Sequence, residues 1–314
     1  MKKTIMAAAM LLMATSAFAQ GDNYNRLGIS YTNTHYGVNK EGRVMIGAEI
    51  TGDEFAEPCD FSGVNTNGFT IDYVHGWGLS KSLPMYLEAG IRFGYSGGSG
   101  TLFEPKMSDY IDFDGGYEGM PGTKTTVSLR NTNLTVPVNF VWKFNVRAFG
   151  EHFKVAPYTG INFRLNLSMQ GKLKNNLKGD FGNLDPDLLA EFNFETDWFN
   201  LFSKDGLYDK FVELETGEPG YVPDDEEYVA EMRALAENMT WKRFQMGWQI
   251  GVNLEWQRYS LGLEYGLDFL PAYSHKWVDE MEVNVPGVGW FPVPIERNPR
   301  VNTGTFRLTL GYTF

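Results

Sequence analysis

Apolar side chains fall on every second position along much of this chain. The pattern is cleanest at Phe244, Met246, Trp248, Ile250, Val252, Leu254 and Trp256, which alternate with Arg243, Gln245, Gly247, Gln249, Gly251, Asn253 and Glu255. A period of two is a strand with one apolar and one polar face. Seven further stretches repeat it. The first runs through Leu27, Ile29 and Tyr31; the second is Phe69 to Leu79; the third starts at Met85 and reaches Tyr95. The fourth is Val127 to Phe144 and the fifth Phe153 to Leu167. Phe244 to Trp256 is the sixth, Tyr259 to Phe269 the seventh, and the eighth closes the chain at Phe306, Leu308, Leu310, Tyr312 and Phe314. Along the fourth, the apolar positions change from Val127 and Leu129 to Leu134, Val136 and Val138, and a one-residue slip of that kind predicts a bulge near Asn131 to Asn133.

The connections decide the architecture. Second to third, fourth to fifth and sixth to seventh are short, the last being the two residues Gln257 and Arg258; the others are long. Eight antiparallel strands with short turns at one end and long loops at the other predict an all-β fold, an up-and-down transmembrane barrel. Val44 to Ile50 reads as a hairpin extension inside the first loop; counting it as spanning leads to the alternative of ten strands. The longest insertion, residues 175–240, holds 17 acidic and 4 basic residues, which accounts for the whole net charge of −12. Two helices are expected in it, Asp185 to Phe202 and Asp224 to Met239, the second with four acids in its first turn.

Residues 1–19 read as a secretory signal peptide: Lys2 and Lys3, an apolar run from Ile5 to Met13, and the small-residue box Ala17-Phe18-Ala19. The run is shorter than the roughly 20 residues a membrane helix needs. Residues 20–314 are then the barrel. Aromatics at 15% and 35 glycines alongside a mean hydropathy of −0.30 suit alternating lipid-facing and water-facing positions. The one cysteine, Cys59, has no internal partner.

The final residues, with Leu310, Tyr312 and the terminal aromatic Phe314, resemble the C-terminal signal of outer-membrane barrel proteins, which the barrel-assembly machinery reads in that family. The segments MYLEAGIRFGYS (Met85 to Ser96), NLTVPVNFVWKF (Asn133 to Phe144) and KVAPYTGINF (Lys154 to Phe163) resemble the outer-membrane β-barrel domain of the porin-like family of Gram-negative bacteria. Pro137, Pro157 and Tyr158 fall where that family has its hydrophobic-Pro-hydrophobic and Pro-Tyr features. The resemblance runs from about Leu27 to Phe314, the long insertion excepted, and implies a small barrel of the OmpX/OmpA kind in the outer membrane; the layout of short turns and long loops then puts both termini on the periplasmic side.

If the apolar face meets lipid, the lumen receives Asp72, Glu88, Arg92, Lys143, Lys154, Arg164, Arg243, Glu264, Asp268 and Arg307. Eight strands enclose only enough space for side chains, and buried charges need partners. The turn near Ser82 sets Asp72 opposite Arg92, and Glu264 and Arg307 lie at similar heights on neighbouring strands; both are expected as ion pairs. Trp256 and Tyr259 flank the sixth turn as interface aromatics.

Other chemistry finds little support. The four histidines are His35, His75, His152 and His275, and no GxSxG elbow occurs, so no enzyme is expected. No metal-ligand spacing and no cofactor motif is present, and a chain of net charge −12 does not suit nucleic acid. The expected role is structural or surface-binding through the long loops, which carry Trp198, Phe199, Tyr221, Trp277, Trp290 and Phe291 for an unknown extracellular ligand. Porin-like diffusion of small solutes is one alternative. A soluble, secreted lipid-binding barrel, with its apolar faces inward, is the other.

Overall fold

A computed structural model describes residues 23–51, 59, 61–103, 122–178, 193–285 and 289–314. The expected signal peptide, residues 1–19, lies outside them. Eight long antiparallel strands form a closed ring: β1 (Tyr24–Val38), β2 (Gly63–Gly78), β3 (Met85–Phe103), β4 (Gly122–Trp142), β6 (Glu151–Lys178), β8 (Phe244–Trp256), β9 (Tyr259–Asp268) and β13 (Arg300–Thr313). The ring closes where β1 pairs with β13, from Arg26 opposite Thr313 to Val38 opposite Val301. Closure leaves no strand edge in need of hydrogen bonds, the condition for β-structure in lipid.

Shorter elements decorate this ring. β5 (Phe144–Ala148) extends the hairpin of β4 and β6 below the ring. β7 (Phe199–Asn200) lies on β6, β10 (Tyr273–Ser274) lies on β13, and β11 (Trp277–Val285) pairs with β12 (Gly289–Arg297) as a separate hairpin. The Pro- and Trp-rich sequence from Pro271 to Arg300 predicts only a loop there. Among the described residues the helices are α1 (Lys40–Thr51), α2 (Lys204–Thr216) and α3 (Glu226–Asn238). The start of β1 and the end of β13 meet at the short-turn end, where the Asn25 N–H donates to the Phe314 carbonyl at 3.1 Å and the reverse bond is 2.9 Å.

Two expectations about local structure need correction. Val44 to Ile50 belongs to α1, not to a hairpin extension: the Asn39 side chain accepts from the Gly42 N–H at 3.0 Å and caps that helix. Of the helix expected over Asp185 to Phe202, residues 193–202 are not helical and 185–192 lie outside the described residues; a helix the sequence pattern does not predict, α2, follows Ser203, whose hydroxyl accepts from the Gly206 N–H at 3.0 Å. The helix expected from Asp224 forms as α3, capped by Asp225.

The large apolar side chains of the ring point outward. Leu27, Ile29, Phe69, Ile71, Trp248, Ile250, Leu261, Leu263, Phe306, Leu308 and Leu310 are all exposed. Between them the inward rows are buried and polar, including Gln245, Gln249 and Asn253 on β8 and Thr303, Thr305 and Arg307 on β13. A barrel in water has the opposite arrangement.

The logic reverses above the apolar belt. Tyr36, Val64, Leu129 and Met169 point inward there and pack with Leu201, Leu207 and Ala236 from the long insertion. This apolar plug closes the long-loop end of the lumen. It also explains the parity change along β4. That strand is not bulged: Leu129, Asn131, Thr135 and Asn139 are all buried on one face. What changes is the surroundings, so that apolar residues face out in the belt and in above it. The irregularity sits on the partner strand, where Thr132 pairs with Ser168 and Asn133 with Asn166, leaving Leu167 as the extra residue of β6. Below Leu167 the even residues Asn162, Arg164 and Asn166 point inward; above it the odd residues Met169 and Gly171 do.

Candidate functional site

The lumen is filled by three layers of charge, each neutral once Asp72, the register partner of Arg92, is counted with the middle one. Nearest the short turns, Arg26 meets Glu88 at 3.2 Å and Lys143 meets Glu255 at 2.8 Å, while the Tyr24 hydroxyl donates to Glu88. The Lys143 ammonium also stands 3.5 Å above the centre of the Tyr24 ring. In the middle, Arg92 donates two hydrogen bonds to Glu264, at 3.0 and 2.8 Å, and Arg307 donates to the same carboxylate. The Tyr158 hydroxyl adds a further donor to Glu264 at 2.9 Å. Uppermost, Arg164 meets Asp268 at 2.8 Å, and the Thr303 hydroxyl donates to that Asp268. Amide side chains tie the layers together: Gln249 accepts from Arg92 at 3.3 Å, and Asn166 donates to Gln245 at 2.7 Å.

Small residues make the room. A side chain on Gly251 would begin 2.4 Å from the ring carbon bearing the Tyr158 hydroxyl, and one on Gly28 would begin 2.6 Å from an Asp72 carboxylate oxygen. Both glycines lie on the inward face. One cavity between the middle and upper layers, lined by Thr34, Tyr36, Arg164 and Arg307 among others, is about 10 Å³. That holds about one water. The mouth above it is closed by the apolar plug.

The expected residues fall out as follows. Glu264 and Arg307 are register partners and share a hydrogen bond. Asp72 and Arg92 are also register partners, but Arg92 forms its ion pair across the lumen with Glu264, while Asp72 accepts from the Ser30 hydroxyl at 3.2 Å. Glu88, Arg164 and Asp268 are buried in the lumen. Arg243 is not. It precedes β8, is exposed, lies 4.6 Å over the Phe202 ring and donates to the Leu167 carbonyl at 3.1 Å. Lys154 is likewise exposed: at that level β6 still pairs with β8, Lys154 opposite Glu255, but its other neighbour is β5 rather than β4. Arg26 and Glu255 were missed. Both lie on inward positions, and beginning the first strand at Leu27 hid Arg26.

Outside the barrel, Leu310, Tyr312 and Phe314 are exposed on β13. Trp256 and Tyr259 flank the β8–β9 turn and are exposed, the Tyr259 ring meeting Tyr312 edge-on at 5.6 Å. Of the loop aromatics, Trp198 lies under the Arg130 guanidinium at 3.9 Å and Phe199 packs on the plug, so both have structural partners. Trp277 donates to the Tyr273 hydroxyl at 3.2 Å, and Tyr221 is exposed. The side chains of Trp290 and Phe291 lie outside the described residues. Cys59 is half-buried, free, and set against the plug.

An eight-stranded antiparallel ring with an apolar exterior and a charged, polar interior is the fold of outer-membrane β-barrel proteins. No protein-family profile and no curated protein matches the sequence. Solved structures of small outer-membrane barrels do match the fold. They include Ail, the attachment invasion locus protein of Yersinia pestis, at 10% identity and a TM-score of 0.30, with 93% of this chain and 99% of that chain covered. Neisserial surface protein A matches at 8% identity and a TM-score of 0.27, covering 92% and 97%. The outer membrane protein OprG of Pseudomonas aeruginosa matches at 7% and 0.29, covering 94% and 97%. Likeness at that level adds nothing to the closed ring of register pairs, which defines the fold by itself.

Proposed function

We propose that this protein is an integral outer-membrane barrel with a closed lumen, and that it acts as a non-catalytic surface-binding or structural protein through its long-loop end. The observation that carries the reading is the filled interior. Three self-neutral layers span the lumen, and an apolar plug seals one mouth. A diffusion pore needs a continuous aqueous path, and a carrier of lipid in its interior needs an apolar cavity. The interior here supplies neither.

The exterior supports the membrane location. Moving a large apolar side chain out of water is worth about 1.5–3 kcal/mol, and more than twenty such side chains are exposed on the ring. With the short turns, the start of β1 and the end of β13 at one end of the barrel, the orientation proposed is short turns periplasmic and long loops outward. The exposed row Leu310, Tyr312 and Phe314 is then the signal offered to the barrel-assembly machinery. The outward end carries α2, α3 and the β11–β12 hairpin, and most of the chain's acidic residues. This is the surface proposed to meet an extracellular ligand.

The test is single-channel conductance of the refolded full chain in a planar bilayer. A correctly inserted, silent barrel is expected. Discrete, reproducible steps in the unmodified protein would overturn the closed-lumen reading and give the protein to solute diffusion.

A further inference from the structure

Where β13 passes between β1 and β9, the outer wall carries a groove of about 410 Å³. That is within the usual size of a small-molecule site. It lies at the upper edge of the apolar belt and has two chemistries. One side is Tyr265, Leu267 and Phe306, outward belt residues each nearly half exposed. The other is polar: Asn33, His35, Asn39 and Asn302. The base includes Asp268 and Thr303, whose side chains bond each other.

Two glycines open the groove. Gly304 is the register partner of His35, and Gly37 that of Asn302. A Cβ on Gly304 would stand 3.4 Å from the Tyr265 hydroxyl and 3.5 Å from Leu267, ordinary contact distances, with backbone no nearer than 3.9 Å. A side chain there would fit the wall and fill the groove, so nothing in the barrel's own packing demands a glycine. The neighbouring sector shows the contrast. Between β1 and β2, at the same height, polar side chains close on each other: Asn33 donates to Asn67 at 2.9 Å, and His35 meets Asn65 at 2.9 Å.

Cations stand at the polar end. Arg300 continues the outward row Arg300, Asn302, Gly304, Phe306, which sets its Cα about 7 Å along the strand from Asn302. Lys40 follows Asn39, and both cations are exposed. The acid nearby, Glu41, already accepts from the Asn298 N–H. A concave site with an apolar end in the belt and a cationic end above it matches an anionic amphipath. Arg and Lys are suited to phosphate.

We propose that this groove binds one phosphate-bearing membrane lipid from the leaflet on the long-loop side. An acyl chain lies along Tyr265, Leu267 and Phe306, and the phosphate faces Arg300 and Lys40. The proposal rests on the outer-membrane reading given above.

The test uses the full chain refolded in a phosphate-free non-ionic detergent. Dimyristoyl phosphatidic acid and dimyristoylglycerol are titrated separately, and bound lipid is counted by native mass spectrometry. One phosphatidic acid per barrel is expected, with affinity at least tenfold above that for the diacylglycerol. Gly304→Leu lowers phosphatidic acid affinity at least tenfold, and Arg300→Gln removes most of the preference for it. Phe306→Ala, which takes away one groove wall, also weakens binding and serves if Gly304→Leu does not fold, as judged by heat-shifted gel migration. Absence of a one-to-one adduct, or unchanged binding in the folded groove variants, overturns the proposal. Flotation with phosphatidylcholine vesicles reads the membrane location separately. A barrel that inserts but holds no phosphatidic acid sinks the groove alone, and one that does not insert sinks both.

Discussion

Glu264 on β9 binds Arg92 on β3 with two parallel hydrogen bonds, at 3.0 and 2.8 Å, from the opposite wall of the barrel. The same carboxylate accepts from Arg307 and Tyr158. Removing it strands two buried guanidinium groups. Glu264→Gln is expected to cost about 3–5 kcal/mol, as for other broken buried pairs, read from urea unfolding of the refolded protein in detergent. Replacing Arg92 and Glu264 together by Met should cost less than Glu264→Gln with Arg92 in place. A double variant worse than the single would show that the bridge, not the stranded charge, sets the stability.

Gly251 and Tyr158 compete for one volume, since a Cβ at 251 would begin 2.4 Å from the tyrosine ring. Gly251→Ala is expected to destabilise by about 1–3 kcal/mol through overpacking. In a Tyr158→Ala background the cost should fall but not vanish, because the Cβ would still stand 2.6 Å from the Leu263 carbonyl oxygen. Equal cost in both backgrounds, measured by the same unfolding experiment, would place the strain elsewhere.

Leu167 is the extra residue that turns the inward row of β6 from even to odd positions. Its deletion should leave the belt intact and turn Met169 away from the plug. The protein should still show heat-shifted migration, while trypsin cuts after Lys204, Lys210 or Arg233 at least tenfold faster than in the unmodified chain. Unchanged cleavage of a folded deletion variant would mean that the plug does not depend on this register.

Phe149, at the tip of the β5–β6 hairpin, is fully exposed with φ of 56°. A bulky residue in the left-handed region is strained. Phe149→Asn is expected to stabilise the barrel by about 1 kcal/mol, since asparagine tolerates that conformation. A loss of stability would point to a contact made by the ring in the intact membrane.

Strands were legible wherever one face meets lipid for its whole length. β8 and β9 show this best, because each outward position must be apolar and each inward one small, polar or charged. The parity change in β4 was legible as an event but not as its cause. In a strand with one environment on each side, a changed pattern requires a slip; here the environment itself changes at the level of Asn131 to Asn133. Cross-strand register was legible from turn lengths, which set Asp72 beside Arg92 and Glu264 beside Arg307. The partner of Arg92 was not, because in so narrow a barrel a long side chain reaches the opposite wall as readily as its neighbour. The helical part of the long insertion was half legible. Asp225 begins α3 as its acidic run suggests, whereas α2 depends on a single serine cap at Ser203 and an otherwise unremarkable stretch.

Above the level where its apolar residues turn inward, β4 continues from Asn131 back to Gly122, and β3 and β6 run beside it. At the usual strand rise and tilt this is a rampart about 25 Å tall. Among the described residues β8, β9 and β13 stop near the edge of the belt, so the ring is taller on the side of β3, β4 and β6. In the orientation proposed above, a particle approaching the cell meets a lopsided rim, whose high side would hold it further from the bilayer than its low side.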